Sequence, residues 1–377
     1  MAEPLKSSFD RAVVERIGAM LARADRSFAT KRFVADASRG LEELELLDRG
    51  RHVARALAEH LPEEYPRAVD VLVASLGPPL AATLGNGMAP FLYLPHVIFV
   101  AERGVDHFEP SMRAQYELTQ RFSAEFSIRA FLERHPERTL ARLAEWTRDP
   151  SEHVRRLVSE GTRPRLPWAP RLRALQRDPS PILPLLEALR DDPSDYVRRS
   201  VANNLNDIAK DHPGITVEVC ARWITEASPD REALVRHALR TLIKAGDRAA
   251  LAVLGFGPSK GLRVQGTVVP SRVPIGGKIR VDVTVENPSR RTQRAVVDLA
   301  VDFVKASKVS RKVFKLRPVD LAPGASVTLG KTISFAPMTT RTPYPGRHAI
   351  SVLVDGREVP LASVDVIRAT RSTGSPG

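Results

Sequence analysis

An internal repeat constrains the fold of this 377-residue chain more than any other feature of its sequence. Residues 149–158 read Asp-Pro-Ser-Glu-His-Val-Arg-Arg-Leu-Val, and 43 residues later 192–201 read Asp-Pro-Ser-Asp-Tyr-Val-Arg-Arg-Ser-Val. A weaker third copy begins at Ser228, and Ile128 lies in a degenerate earlier one. Periods of about 40–47 residues are typical of HEAT-like helical pairs, which stack into an α-solenoid. Asp-Pro-Ser also predicts a helix start, with Asp capping free N–H groups and Pro in the first turn.

The hydrophobic pattern changes from helical to extended in the last third of the chain. Up to residue 257, apolar residues such as Val13, Ile17 and Met20 recur at spacings of three and four, which predicts helices with one buried face. From Gly261 onward, β-branched and often alternating segments are separated by turn residues, which predicts short strands. These segments include 264–269, 279–285, 295–301, 326–329 and 350–354.

These patterns predict a multidomain α and β protein. We expect a HEAT-like-repeat α-solenoid over residues 1–257, followed by an immunoglobulin-like β-sandwich over 258–369 and a flexible tail over 370–377. The apolar run 91–100 is too short to span a bilayer, so no membrane partner is expected. The first ten residues lack the pattern of an export signal, which predicts a cytoplasmic protein. A single cysteine, Cys220, excludes an internal disulfide and a thiolate metal cluster.

The net charge of +13 is concentrated in the predicted β-sandwich. Residues 258–377 carry 20 Lys and Arg against 8 Asp and Glu, whereas residues 1–257 carry 37 against 36. Such an excess attracts polyanions such as nucleic acid, because each neutralised phosphate releases a counterion. Charge alone fits a merely basic β-domain equally well.

Charged residues recur at helical spacing in the repeats. Arg156 and Glu160 are four residues apart and share a helix face. The next repeat has Arg199 and Asn203 at the equivalent positions, and Asp207 follows one turn later. Upstream, Glu125 and Arg129 form a similar pair. Stacked repeats would place these arginines beside carboxylates in a groove that binds phosphates. Repetition by itself fits ordinary ion pairs on solvated or inter-repeat faces better.

The segment 159–168 is unusual for a linker between repeats. Arg163 and Arg165 alternate with two prolines, and the segment ends at Trp168. A rigid basic segment of this kind suits a nucleic-acid backbone, with the indole stacking on a sugar or base. The alternatives are that Trp168 is a core aromatic and that the two arginines cap helix ends.

Three blocks of the sequence resemble the bacterial AlkC-type DNA alkylation repair glycosylases, a family of HEAT-like-repeat DNA glycosylases. They are residues 125–129, 153–168 and 196–213. The resemblance spans at least residues 120–215, and these ordered blocks are far more specific than a HEAT pattern. A subset of the family carries a C-terminal immunoglobulin-like domain that helps encircle DNA, and the predicted basic β-sandwich fits that subset as a clamp.

The resemblance implies an enzyme of base excision repair that acts on double-stranded DNA containing alkylated bases. It would hydrolyse the N-glycosidic bond of cationic bases, notably N3-methylcytosine and N1-methyladenine, with N3-methyladenine as a further candidate, and without rotating the base into a deep pocket. We expect a monomer associated with the bacterial nucleoid. Position by position, the resemblance implies catalytic Glu125, Glu160 and Asp207, flanking Arg156 and Trp168, and DNA-backbone contacts from Arg163 and Arg165.

The residue types suit this chemistry without a metal or other cofactor. A cationic base is already a good leaving group, so the developing charge on the sugar is what carboxylates must stabilise. A carboxylate could also orient or deprotonate the attacking water. An iron triad would need two histidines and a carboxylate, and the His-x-Glu pattern at His107-Phe108-Glu109 fits an ordinary loop better. Lys210 is the one lysine near the predicted site, and a solvated helix-end role fits it better than an amine nucleophile, so we expect a monofunctional enzyme.

A different class of function stays open at this point. α-Solenoids also serve as non-catalytic scaffolds that bind protein or nucleic acid, and a fold by itself does not establish an activity.

Overall fold

The computed structural model describes residues 5–81, 85–256, 261–305, 309–338 and 343–368. The chain divides into two compact units. The first comprises Met1–Thr216 and Glu226–Ala238, and the second comprises Val217–Thr225 and Leu239–Gly377. The predicted domain boundary at 257/258 and the predicted tail 370–377 lie outside the described residues.

The first unit is helical. Its helices are α1 (Arg11–Ala24), α2 (Thr30–Ser38), α3 (Leu46–His60), α4 (Tyr65–Ser75), α5 (Leu94–Arg103), α6 (Phe108–Thr119), α7 (Ile128–Arg134), α8 (Pro136–Trp146), α9 (Glu152–Gly161), α10 (Arg173–Arg177), α11 (Leu183–Leu189), α12 (Asp195–Ile208) and α14 (Pro229–Ala238). Helix α13 (Pro213–Ile224) contributes residues to both units.

Apolar residues at helical spacing hold consecutive repeats together. Helix α9 packs against α12, and α12 packs against α14. The contact face of α12 includes Val197, Val201 and Leu205, which are fully buried at spacings of four residues. Burial of each such side chain contributes about 1.5–3 kcal/mol relative to exposure.

The two clear copies of the repeat have the same local structure. Helices α9 and α12 begin 43 residues apart, at Glu152 and Asp195. Asp149 Oδ1 accepts a hydrogen bond from the backbone N–H of Ser151 at 2.8 Å, and Asp192 does the same for Ser194 at 2.9 Å. The aspartate therefore closes a turn just before the helix. The expectation that Asp caps the helix and Pro lies in its first turn was wrong for these copies.

An arginine links each repeat to the next. Arg155 donates to the carbonyl oxygens of Asp149 and Pro150, and also to the carboxylate of Asp192 at 2.6 and 3.0 Å. Arg198, its equivalent, donates to the carbonyl oxygens of Asp192 and Pro193 and lies 3.1 Å from a carboxylate oxygen of Asp230. We call these two contacts the repeat ladder.

The second unit contains helices α15 (Arg240–Ala245) and α16 (Arg248–Val253) and a β-sandwich. The strands are β1 (Arg263–Val269), β2 (Arg272–Pro274), β3 (Lys278–Glu286), β4 (Gln293–Val304), β5 (Val309–Leu321), β6 (Ser326–Ser334), β7 (Gly346–Val354) and β8 (Arg357–Ile367). One sheet has the order β1-β3-β6 and the other β2-β8-β7-β4-β5. Only the β2–β8 pairing among these described strands is parallel.

Alternating apolar residues from both sheets form the sandwich core. Val281, Val283 and Val285 of β3 are buried, and so are Val297, Leu299 and Val301 of β4. Gly246, just after α15, lies against Gly356 in the β7–β8 turn, where a Cβ atom on Gly246 would be 2.4 Å from the Cα of Gly356. Both glycines have positive φ, so no other residue fits either position without strain. A helical unit and a strand-rich unit are therefore present, and the predicted fold class is confirmed.

Candidate active site

Six charged side chains of alternating sign form a continuous series in the first unit, which we call the charge chain. Its members, in spatial order, are Glu125, Arg156, Glu160, Arg163, Asp207 and Lys210. The structure therefore brings together the three carboxylates predicted from the sequence, although Glu125 and Asp207 are 82 positions apart along the chain.

The repeat architecture accounts for this convergence. Glu125 lies in the turn before α7, and Glu160 lies in the last turn of α9, four residues after Arg156. Asp207 lies in the last turn of α12, which packs directly on α9. Stacked repeats bring the ends of equivalent helices to the same side, so Glu160 and Asp207 become neighbours. Arg156, one turn before Glu160, joins Glu125 to them.

Arg156 connects the first two carboxylates. Its Nη1 donates to a carboxylate oxygen of Glu125 and to Ser123 Oγ, at 2.9 Å for the serine, and Ser123 in turn donates to Glu125 at 2.8 Å. Its Nη2 lies 3.4 Å from Glu160 Oε1. The guanidinium also lies over the ring of Tyr196, 5.2 Å from its centroid, in a cation–π contact.

Arg163 connects the second and third carboxylates. Its Nη1 donates to Glu160 Oε1 at 2.6 Å, and its Nε donates to Asp207 Oδ2 at 2.9 Å. The other oxygen of Asp207 accepts from Lys210 Nζ at 2.8 Å, and the other oxygen of Glu160 accepts from Ser200 Oγ at 2.6 Å. Both carboxylates therefore have both oxygens hydrogen-bonded, as burial of a charge requires.

Neighbouring charges outweigh burial in setting the ionisation of this site. Burial alone would raise the pKa of Glu160, but the guanidiniums of Arg156 and Arg163 and the hydroxyl of Ser200 hold it below its usual value. Burial alone would lower the pKa of Arg156, but the carboxylates of Glu125 and Glu160 raise it. Glu160 is therefore a buried carboxylate that is ionised at neutral pH.

Trp168 is exposed, so it is not the core aromatic that one alternative expected. Trp168 is 59% exposed, whereas the other two tryptophans, Trp146 and Trp223, are buried. Its backbone has φ +65°, a left-handed conformation that a residue with a large side chain rarely adopts. A large exposed indole held in strained backbone is typical of a ligand contact.

Arg129 does not form the predicted pair with Glu125, so this prediction was wrong. Glu125 bonds to Arg156 instead. Arg129 is buried, and its guanidinium donates to the backbone carbonyls of Gly161 at 3.2 Å, Arg163 at 2.7 Å and Pro170 at 2.5 Å. Burial lowers its pKa to about 10, so it stays protonated at neutral pH.

The remaining predicted residues have other partners. Arg165 forms a two-pronged ion pair with Asp211, and Arg199 forms an exposed pair with Asp195 at 3.2 Å. Asn203 Oδ1 accepts a hydrogen bond from His237 Nε2 at 2.9 Å. None of these three has a direct contact with the charge chain among the hydrogen bonds and ion pairs described for this region. Their roles in binding DNA stay predictions.

Sequence reasoning missed the exposed cations that follow Trp168. Arg171, Arg173 and Arg177 are exposed, and they lie just beyond the segment that contains the buried Arg163. The Arg-x-Arg pattern after Pro170 was the available signal, but it was overshadowed by the Arg-Pro-Arg pattern upstream. It also missed Ser200 and Tyr196, because serine and tyrosine in a helix carry no spacing pattern of their own.

Within the described ranges, no group of three or more His, Cys, Asp or Glu side chains could hold a metal ion. No described helix is long and apolar enough to cross a membrane.

Comparison with known proteins assigns both units. Residues 182–212 match the HEAT repeat, and residues 263–368 match the family described as "Uncharacterised protein YhaZ, C-terminal Ig-like domain". The chain is therefore a HEAT-repeat protein with a C-terminal immunoglobulin-like domain.

Two relatives cover nearly the whole chain. The uncharacterised protein YhaZ of Bacillus subtilis is 38% identical over 316 residues, which are 83% of this chain and 85% of YhaZ. The structure of Pseudomonas fluorescens alkylpurine DNA glycosylase AlkC, bound to DNA containing an abasic site analogue, is similar with a TM-score of 0.89 and 37% identity. That match covers 97% of this chain and 100% of AlkC. The chain belongs to the family of AlkC and YhaZ, and the resemblance predicted from the sequence is confirmed.

Proposed function

We propose that this protein is a DNA glycosylase for alkylated bases, and that it releases cationic bases such as N3-methylcytosine and N1-methyladenine by hydrolysis. The observation that carries the proposal is the charge chain, in which three carboxylates converge in a chain similar to AlkC over 97% of its length. The exposed Trp168 follows Arg163, a member of the charge chain, by five residues in the sequence. AlkC is described as an alkylpurine DNA glycosylase bound to abasic DNA, so DNA is the expected partner here as well.

The proposed mechanism is electrostatic stabilisation by preorganised carboxylates. A cationic base leaves as a neutral molecule, and the deoxyribose acquires positive charge as the bond breaks. Glu160 and Asp207 are fixed before DNA binds, by Arg163 between them and by Ser200 and Lys210 outside them, so little reorganisation is needed at the moment of reaction. Glu125, the least enclosed of the three, is the carboxylate best placed to orient the attacking water.

The exposed residues of this region supply contacts to the DNA. Trp168 would stack on the lesion or its sugar. Arg171, Arg173 and Arg177 are better phosphate contacts than Arg163 and Arg165, because the guanidiniums of the latter two are already held by carboxylates. The basic β-sandwich would add a clamp on the DNA backbone.

The activity is tested with a duplex that contains a single N3-methylcytosine. The purified protein is incubated with this duplex in the presence of EDTA, and the DNA is then treated with alkali to reveal abasic sites as strand breaks. A glycosylase of the proposed type gives breaks only at the lesion. A non-catalytic HEAT scaffold binds the duplex or a protein and gives none, which would reject the proposal.

The proposed catalytic role of the carboxylates predicts the behaviour of isosteric variants. Glu160→Gln and Asp207→Asn should each slow the single-turnover release of N3-methylcytosine by about 10²-fold or more, since they remove charge aimed at the transition state. Binding of the same duplex, measured by fluorescence anisotropy, should change little.

Asp192→Asn is the matched control, because Asp192 is also a buried carboxylate paired with an arginine of α9 but lies outside the charge chain. When the rates are compared at equal concentrations of folded protein, Asp192→Asn should release the base as fast as the unsubstituted protein. Parallel loss of binding and release in Glu160→Gln would argue against a role in the transition state.

A further inference from the structure

The segment between Gly161 and Pro170 is tied to α7 at both of its ends by one side chain. Arg129 donates to the carbonyl oxygens of Gly161 and Arg163 at the start of the segment and to that of Pro170 at its end. Trp168 lies between these anchor points. We call residues 161–170 the tryptophan loop.

The anchor at Gly161 has a physical reason. Gly161 is the last residue of α9, where backbone carbonyls lack partners within the helix and carry partial negative charge. A buried guanidinium with several fixed N–H donors satisfies such carbonyls better than any other side chain. The forked guanidinium of Arg129 also reaches carbonyl oxygens at both ends of the tryptophan loop, which a single ammonium group cannot do.

Close packing at the same point supports the anchor independently. A Cβ atom on Gly161 would lie 2.5 Å from Cγ2 of Ile128, the residue before Arg129. The start of the tryptophan loop is therefore seated directly on the first turn of α7, and glycine is what permits this approach.

The loop has few other backbone ties. The described backbone hydrogen bonds within it and just beyond it, outside helix α9, are Thr162 N–H and Arg163 N–H to Glu160 O, Ala169 N–H to Leu166 O at 3.4 Å, and Leu172 N–H to Pro164 O at 3.2 Å. Pro164, Pro167 and Pro170 cannot donate, so the loop cannot be fixed by a regular backbone ladder. Arg129 supplies three of the bonds that hold the strained backbone at Trp168 in place.

We infer that Arg129 is a positioning residue that fixes the tryptophan loop and so presents Trp168 at the candidate site, rather than a residue that contacts DNA. For catalysis, this inference rests on the proposed function, in which Trp168 contacts the lesion. The inference that Arg129 fixes the conformation of the tryptophan loop does not depend on the proposed function, because it rests on contacts within the protein.

The first test is spectroscopic and needs no DNA. Arg129→Lys keeps the charge but replaces the fork by a single ammonium group, and it is compared with Arg129→Lys/Trp168→Phe, so that the difference in emission isolates Trp168 from the buried tryptophans. The same difference is measured between the unsubstituted protein and Trp168→Phe. We expect the fast component in the anisotropy decay of Trp168 to be larger when Arg129 is replaced by Lys, because the indole then moves more freely.

The second test measures release of N3-methylcytosine under single-turnover conditions. A misplaced Trp168 should lower the maximal rate by about 10-fold to 100-fold in Arg129→Lys, because small displacements of positioning groups have large kinetic effects. The protein concentration that gives half-maximal rate should change less than 2-fold.

Arg49→Lys is the matched control. Arg49 is also a buried arginine, and it donates to the carbonyl oxygens of Lys6, Phe9, Glu42 and Leu44, all in the N-terminal part of the first unit. It should reduce stability in the same way as Arg129→Lys but leave both the anisotropy decay of Trp168 and the maximal rate unchanged.

Gly161→Ala displaces the same loop from the other side of the anchor and serves if the Arg129 variants do not fold. It should free Trp168 as well, and Gly161→Ala/Ile128→Ala should restore the anisotropy decay by removing the methyl group that clashes. An unchanged Trp168 signal in folded Arg129→Lys, or an equal fall in rate in Arg49→Lys, would overturn the inference. A chain that never releases the base, but whose Trp168 signal changes as expected, would reject the proposed function and keep the role of Arg129 in the loop.

Discussion

At the scale of single residues, each carboxylate of the candidate site is already bound to a cation. Glu160 lies between Arg156 and Arg163, and removing one member of such a buried pair costs about 3–5 kcal/mol because the other charge stays buried. The three carboxylates are therefore held in fixed positions, and three cations balance their negative charge. Under the proposed function, the positive charge that develops on the deoxyribose therefore meets carboxylates that are already in place.

The sequence predicted which charged residues lie close together better than it predicted their contacts. The four-residue spacing of Arg156 and Glu160 correctly indicated that they are neighbours. Arg156, however, makes a shorter bond to Glu125, 31 positions away, than to Glu160. Arg129 could not be assigned, because its acceptors are backbone carbonyls 32 to 41 positions away and carbonyls leave no pattern in a sequence.

A buried histidine makes a prediction about acid stability. His96 of α5 is fully buried beside Tyr93, and its two ring nitrogens have no hydrogen-bond partner within the described chain. Burial lowers its pKa to about 3 from 6.5. The unfolded chain therefore takes up a proton below about pH 6.5 while the folded chain does not, and stability falls as the pH drops from 6.5 towards 3, by up to about 1.4 kcal/mol per pH unit.

Replacing His96 by Phe, which can keep an edge contact with Tyr93, should remove this part of the pH dependence. Urea unfolding of both proteins between pH 7 and pH 5 gives the comparison, with the difference in unfolding free energy growing as the pH falls. Parallel curves for the two proteins would show that His96 is not responsible.

At the scale of elements, the repeat ladder joins consecutive repeats at the starts of α9 and α12, whereas Glu160 and Asp207 lie in the last turns of these helices. Arg155 and Arg198 each bind the carbonyls of the turn before their own helix and a carboxylate of the next repeat. The two links differ in burial, because the side chain of Asp192 is 3% exposed and that of Asp230 is 69% exposed. The link between α9 and α12, which carry Glu160 and Asp207, is thus the stronger one.

This difference predicts unequal effects of the same substitution. Asp192→Asn should lower the unfolding free energy by about 3–5 kcal/mol, because it leaves Arg155 partly buried without its counter-charge. Asp230→Asn should lower it by less than about 1 kcal/mol, as expected for an exposed pair. Both values come from urea denaturation at pH 7, and equal losses would mean that the ladder does not depend on burial.

The strands illustrate which elements a sequence reveals. All five predicted segments lie in strands, because their β-branched residues face a buried core. Strands β2, β5 and β8 were missed, and β2 has only three residues. β5 is an edge strand with charged residues and Pro318, so its alternation is weak, and β8 contains Pro360 next to a shift of register with β7. Edge positions and bulges tolerate proline, and for the same reason they conceal a strand.

At the scale of the whole molecule, the positive charge of the second unit is its most distinctive property. The edge strand β5 carries exposed Lys312, Lys315 and Arg317 within six residues. Charged side chains on an edge strand prevent pairing with other sheets, and the positive charge of this strand can attract a phosphate backbone. Truncation at residue 258 would test this surface poorly, because the second unit also contains α15 and α16.

Neutralising the edge of β5 is a sharper test of the clamp. In Lys312→Gln/Lys315→Gln/Arg317→Gln, the slope of the logarithm of the association constant for duplex DNA against the logarithm of salt concentration should become shallower by about 2 to 3, since each lost phosphate contact removes about 0.9. The slope is measured by anisotropy titrations of a labelled duplex at salt concentrations from about 50 to about 200 mM, because the logarithm of the association constant falls linearly with the logarithm of salt concentration. A charge-matched control replaces Arg26, Lys31 and Arg32, which are exposed at the end of α1 and on α2 of the first unit. If both triple variants flatten the slope equally, net charge alone governs binding, and the β-sandwich has no specific part in holding DNA.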